Sequence, residues 1–211
     1  MRASSLPDVP FPRATLTLLL LLLLSPTADA NAAPAHPGRR AVVDCAAAMK
    51  IALPNARITA VRAVQPNDSL RALGRRAYCR VSATVDAETK VVALLPDDWN
   101  ARFLMGGGGG YVGAVDNQFE TTVHEGYATV GTDAGHSANS LSAGWALHND
   151  TRIADFAYNA VHRTAEVTKV LIAAYYGRPA EHSYFVGCSN GGREGLMEAQ
   201  RYPADFDGIV A

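Results

Sequence analysis

Ser189 stands at the centre of Gly187-Cys188-Ser189-Asn190-Gly191, a Gly-x-Ser-x-Gly pentapeptide whose residue types suit acyl transfer. A serine hydroxyl attacks a carbonyl well when it is exposed on a sharp turn, beside donors that receive the charge developing on oxygen. Glycines flanking the serine permit such a turn, because a Cβ there would collide as strand and helix converge. The run before the pentapeptide, Tyr184-Phe185-Val186, is apolar and β-prone, and Glu194 to Arg201 after it reads as helix. Strand, pentapeptide and helix in that order form the layout of a nucleophile elbow, with Ser189 as nucleophile at a helix N-terminus that favours negative charge. The pentapeptide alone would equally fit a glycine-rich surface turn; the flanking elements decide for catalysis.

A second stretch offers the matching electrophilic site. Arg102-Phe103-Leu104-Met105 runs into Gly106-Gly107-Gly108-Gly109-Gly110-Tyr111, and five glycines in a row belong where backbone must be approached closely. In α/β-hydrolases the loop after the third strand gives one backbone N–H to the oxyanion hole, and the residue after the nucleophile, here Asn190, gives the other. Gly107 and Gly108 are the expected loop donors. A phosphate-cradling loop fails on residue type: a Walker loop needs Gly-Lys-Ser/Thr, and a dinucleotide fingerprint needs spaced glycines opening a helix. A flexible linker fits poorly between two apolar strands. Asp133 and His136 could tempt one to complete a triad, but in this fold class acid and histidine follow the serine in the chain. They are expected to orient loops by hydrogen bonds, and His124, His148, His162 and His182 receive the same structural reading.

The elements that must position these residues are legible. Tyr78 to Val85 alternates, with Cys79, Val81, Ala83 and Val85 on one face, as a half-buried strand does. Arg57 to Val64 and Lys90 to Leu95 read as further strands, and residues 41–49 as a short helix. From Thr151 to Tyr176 the residues Ile153, Phe156, Ala157, Ala160, Val161, Val167, Leu171, Ile172 and Tyr175 recur at helical spacing, predicting one amphipathic helix ended by Gly177 and Pro179. His182 to Val186 and Gly208 to Ala211 complete a strand–helix–strand–helix–strand series, the signature of a doubly wound, mostly parallel sheet.

The segment Gly187-Cys188-Ser189-Asn190-Gly191-Gly192-Arg193-Glu194-Gly195-Leu196-Met197-Glu198-Ala199-Gln200-Arg201-Tyr202-Pro203, continued by Asp205-Phe206-Asp207-Gly208-Ile209-Val210-Ala211, resembles the elbow of the tannase and fungal-type feruloyl esterase family. That family includes bacterial mono(2-hydroxyethyl) terephthalate hydrolases. Trp99-Asn100 with Arg102-Phe103-Leu104 and the glycine run matches the family's oxyanion-loop segment, which decides against the linker. Gly126 to His136 resembles its strand and turn leading to the same cleft. The resemblance implies an α/β-hydrolase fold and hydrolysis of esters of aromatic acids such as ferulate, gallate or a terephthalate half-ester. It implies a Cys45–Cys79 disulfide, and a second bond from Cys188 to a cysteine beside the catalytic histidine, a partner that the 211 residues do not supply. It also implies a lid with a calcium site after the elbow. The expectation is therefore the N-terminal part of an esterase, with the acid, the histidine, the lid and the C-terminal strands beyond Ala211, and with no cofactor or metal in this segment.

Composition sets the outer bounds. The chain has 48% hydrophobic residues and a net charge of −1, so it shows no electrostatic footprint for nucleic acid. Arg2 and Arg13 precede a leucine-rich run from Ala14 to Leu24 that is too short to span a bilayer, and Ala28-Asp29-Ala30 offers a cleavage site. Residues 1–30 thus read as a secretory signal without a membrane anchor, 31–40 as a flexible leader and 41–211 as catalytic domain. Export places three cysteines in an oxidising compartment, where an odd number leaves one over. Asn67-Asp68-Ser69 and Asn149-Asp150-Thr151 are glycosylation sequons, meaningful in a eukaryotic source. A general secreted carboxylesterase or lipase, and a catalytically incomplete fragment, are the competing readings; the sequence leaves oligomeric state open.

Overall fold

The computed structural model describes residues 40–211; the expected signal segment and the leader before Arg40 lie outside the described residues. Seven strands form one sheet: β1 Ala56–Val64, β2 Tyr78–Val85, β3 Thr89–Pro96, β4 Arg102–Gly106, β5 Ala128–Thr132, β6 His182–Val186 and β7 Gly208–Val210. Their order is β1-β2-β3-β5-β4-β6-β7. The sheet is mixed. β5, β4, β6 and β7 run parallel to one another, as the strand–helix alternation predicts. β1, β2 and β3 add an antiparallel wing that joins the parallel section at β5.

Burial follows position in the sheet. β2 alternates buried and half-buried residues along its length, whereas the central β5 is buried at every position, as expected for a strand covered on both faces. Phe103 of β4 and Phe185 of β6 are fully enclosed, each worth roughly 2–3 kcal/mol of transfer from water. The Trp99 ring stacks on Tyr176 at 4.1 Å, and the Tyr176 hydroxyl donates to the Pro96 carbonyl at 2.8 Å. These contacts fix the chain entering β4, and so the start of the glycine run.

The helix expected over residues 151–176 is interrupted. It comprises α2 (Asp150–Ala154), a π-helical turn (Asp155–Asn159) and α3 (Ala160–Tyr176). The Asn149 side chain caps α2 by accepting from the Arg152 N–H at 3.0 Å. Arg152 also holds Glu88, in the β2–β3 turn, through bonds of 2.7 and 2.8 Å. α3 packs Val161, Ala165, Leu171, Ile172 and Tyr175 into the core, and Gly177 ends it at φ 69°. A short helix, α1 (Asp68–Ala72), capped by Asn67, occupies a stretch with no apolar period. Residues 41–49 supply only a 3₁₀ turn, Ala47–Lys50, and a disulfide ties that region to β2 through Cys45 and Cys79. The final helix, Asn190–Arg201, leads to β7. Among the described residues no helix is long and apolar enough to cross a membrane.

Candidate active site

β6 ends at Val186 and the helix Asn190–Arg201, hereafter the elbow helix, begins four residues later. The turn between them is tight: a Cβ on Gly187 would lie 2.3 Å from the backbone carbon of Gly191. Ser189 adopts φ 56°, ψ −121°, a conformation that costs a residue with a side chain of order 1–3 kcal/mol and recurs at functional turns. It is exposed, and its hydroxyl makes no hydrogen bond to any described residue. The Asn190 N–H, at the positive end of the helix, likewise makes no bond.

The glycine run passes directly beside this turn. A Cβ on Gly107 would lie 2.5 Å from the Gly191 Cα, so the two backbones touch. The loop's N–H groups depart from expectation. Gly107 extends the sheet by donating to the Val186 carbonyl at 2.9 Å, and Gly108 donates to Glu194 Oε2 at 3.1 Å. Gly109 donates to Asp116 Oδ2 at 2.9 Å. Both expected loop donors are therefore engaged, because backbone N–H groups buried this deeply must find acceptors. Of the three residues expected to form the hole, only Asn190 carries a free N–H.

Glu194 is 2% exposed, and burial pushes its carboxyl up to about 7 against the pull of Gly108, Arg193 and Asn190. Arg193 anchors the elbow helix from outside. It donates to the Phe156 and Ala157 carbonyls at 2.8 and 2.9 Å, and its guanidinium lies 4.4 Å from the Phe156 ring centre. Those carbonyls belong to the π turn, whose wider winding has a partner in this arginine.

Asp133 behaves as expected of a loop organiser, accepting from the Lys90 and Gly135 N–H groups at 2.9 and 3.0 Å. Burial raises its carboxyl to about 6. His136 differs: it forms no hydrogen bond of good geometry and instead stacks on Trp145 at 3.8 Å, with burial lowering its pKa. Neither residue bonds Ser189.

Residues 72–211 match the profile of the tannase and feruloyl esterase family. The chain belongs to that family. It is 39% identical over 196 residues to a probable feruloyl esterase of Arthroderma benhamiae, covering 80% of this chain and 35% of the relative. It is 34% identical over 159 residues to the mono(2-hydroxyethyl) terephthalate hydrolase of Piscinibacter sakaiensis, covering 64% of this chain and 26% of that protein. The crystal structure of feruloyl esterase B from Aspergillus oryzae superposes with a TM-score of 0.66 at 32% identity, over 77% of this chain and 34% of the other. The chain thus spans about a quarter to a third of the length of these relatives.

This tannase-family chain carries one further cluster that spacing did not reveal. His162 Nδ1 lies 2.6 Å from Asp205 Oδ2, the His162 ring stacks on Tyr202 at 3.7 Å, and the fully buried Glu198 completes the group. Burial first, and then the negative charge of the neighbouring Asp205, push the Glu198 carboxyl up to about 8. His162, Glu198 and Asp205 come from α3, the elbow helix and the loop before β7. Calcium takes six to eight oxygen ligands, and here an imidazole already pairs with Asp205 while Lys169 donates to the Asp205 carbonyl. The group does not fit that ion; the His162–Asp205 contact links α3 to the loop before β7. Cys188, beside Ser189, is free and exposed.

Proposed function

We propose that this protein is a secreted serine esterase that hydrolyses esters of aromatic carboxylic acids, with Ser189 as nucleophile. The observation that carries the reading is an exposed, unbonded serine hydroxyl on a positive-φ turn next to the unbonded N–H of Asn190. Membership of the family and the names of the relatives, feruloyl esterases and a terephthalate hydrolase, support the chemistry and the substrate class. The Cys45–Cys79 disulfide supports an oxidising compartment.

In the first step Ser189 Oγ attacks the ester carbonyl carbon and its proton passes to a general base. The base is a histidine other than His124, His136, His148, His162 or His182, none of which bonds Ser189. Asn190 N–H receives the oxyanion, while Gly107 and Gly108 form the opposite wall. The alcohol leaves with the proton, giving an acyl-serine that water hydrolyses to the acid and free serine. The test expresses the protein from its complete coding sequence and replaces Ser189 with Ala. Loss of methyl ferulate and methyl gallate hydrolysis is expected, and retained turnover would sink the assignment. Faster hydrolysis of long-chain aliphatic esters than of aromatic ones would instead indicate a general lipase.

A further inference from the structure

Glu194 sits five residues after Ser189 and is almost wholly buried. A carboxylate is retained in such a place where its lone pairs are used. Oε1 accepts from Asn190 Nδ2 at 2.9 Å and Oε2 from the Gly108 N–H at 3.1 Å. One carboxylate therefore joins the residue that offers the free N–H to the loop forming the opposite wall. The Asn190 amide is fixed in turn, since its Oδ1 accepts from Arg193 Nε at 2.8 Å. Arg193 is held by the π turn.

We propose that Glu194 is a positioning residue that sets the width of the oxyanion hole, holding the Gly107–Gly108 wall against the elbow helix and fixing Asn190. The proposal rests on the reading of Ser189 as nucleophile. It requires a double acceptor. Glutamine has the same shape but one acceptor oxygen, so its NH₂ would face either the Gly108 N–H or Asn190 Nδ2. Asn190 cannot turn its amide to compensate without losing Arg193. A side chain that merely fills space would tolerate the isostere; a side chain that sets the geometry of charge stabilisation would not.

The test uses the protein from its complete coding sequence, methyl ferulate as substrate and a fluorophosphonate probe for Ser189. Glu194→Gln is expected to lower kcat about 10-fold or more while KM stays within about threefold, the pattern of an interaction made in the transition state. Parental kcat in the folded variant, or a loss confined to KM, overturns the proposal. Should Glu194→Gln fail to fold, Asn190→Ala decides: it keeps the backbone N–H but removes the other end of the bridge. It is expected to lose kcat in the same way, and parental kcat overturns the proposal. The nucleophile reading fails separately, through a Ser189→Ala variant that still turns over methyl ferulate.

Discussion

Gln118 grips Cys188 by both of its backbone polar groups. The Cys188 N–H donates to Gln118 Oε1 at 3.0 Å, and Gln118 Nε2 donates to the Cys188 carbonyl at 3.4 Å. Gln118 lies beyond the glycine run and also donates its own N–H to the Gly107 carbonyl at 3.3 Å. The residue before Ser189 is thus fastened from the side of the glycine run. Gln118→Ala is expected to cut kcat about 10- to 100-fold, because small misplacements of a nucleophile are costly. Steady-state kinetics on an aromatic methyl ester check this, and a change in KM alone would contradict it.

Gly107 is a second point of control. A methyl group there meets the Gly191 backbone on one side and Glu194 on the other. Neither neighbour is a flexible chain end with room to move, so Gly107→Ala must push the loop and the elbow helix apart. A loss of about 1–3 kcal/mol in stability is expected, with a larger fall in turnover. Thermal melts together with kinetics test both parts; an alanine variant with parental values in each would show that the contact is not constraining.

Glu198 makes stability depend on pH in a stated direction. Its carboxyl is raised from the ordinary 4.5 to about 8 in the folded protein, so folding binds a proton. The contribution is fully present below the unfolded value and is lost as pH rises toward 8, by up to about 1.4 kcal/mol per pH unit for one proton. Asp205, Glu194 and Lys169 face this group, with His162 beside Asp205. Glu198→Gln stays neutral throughout. Its melting temperature relative to the parent should therefore climb between pH 5 and pH 8, and a flat difference would show that the parent does not carry the extra proton.

The Cys45–Cys79 bond closes a separation of 34 residues. Loop entropy assigns such a closure about 3–4 kcal/mol. Cys45→Ala, or reduction of the parent, is expected to lower the free energy of unfolding by that order and the denaturant midpoint with it, and an unchanged midpoint would place the stabilisation elsewhere. Cys79 is buried in the core, which makes Cys45→Ala the cleaner substitution.

Local chemistry made much of this legible. The alternation of Tyr78–Val85 and the apolar run of His182–Val186 predict strands with the bounds found, because each depends on neighbours two residues apart. The π turn was not legible. Phe156 and Ala157 continue the helical apolar spacing, while the extra residue per turn is accommodated by Arg193, 36 and 37 positions away. The elbow helix is a sharper case. Glu194 and Glu198 look like a solvated face and Leu196 like a core residue, yet both glutamates are buried and Leu196 is 67% exposed. Gly191 and Gly195 let the backbone press onto the loop and sheet, leaving carboxylates as the groups that fill the remaining space.

The sequence by itself determined the Ser189 turn, the strand and helix on either side, and the family, since residue type and short spacing carry these. Tertiary structure alone decided where β3 joins the sheet, which glycine N–H groups are engaged, and which carboxyls burial pushes upward. Those outcomes depend on acceptors, charges and burial brought together from distant segments, and a residue's protonation and hydrogen bonds are set by what surrounds it in space.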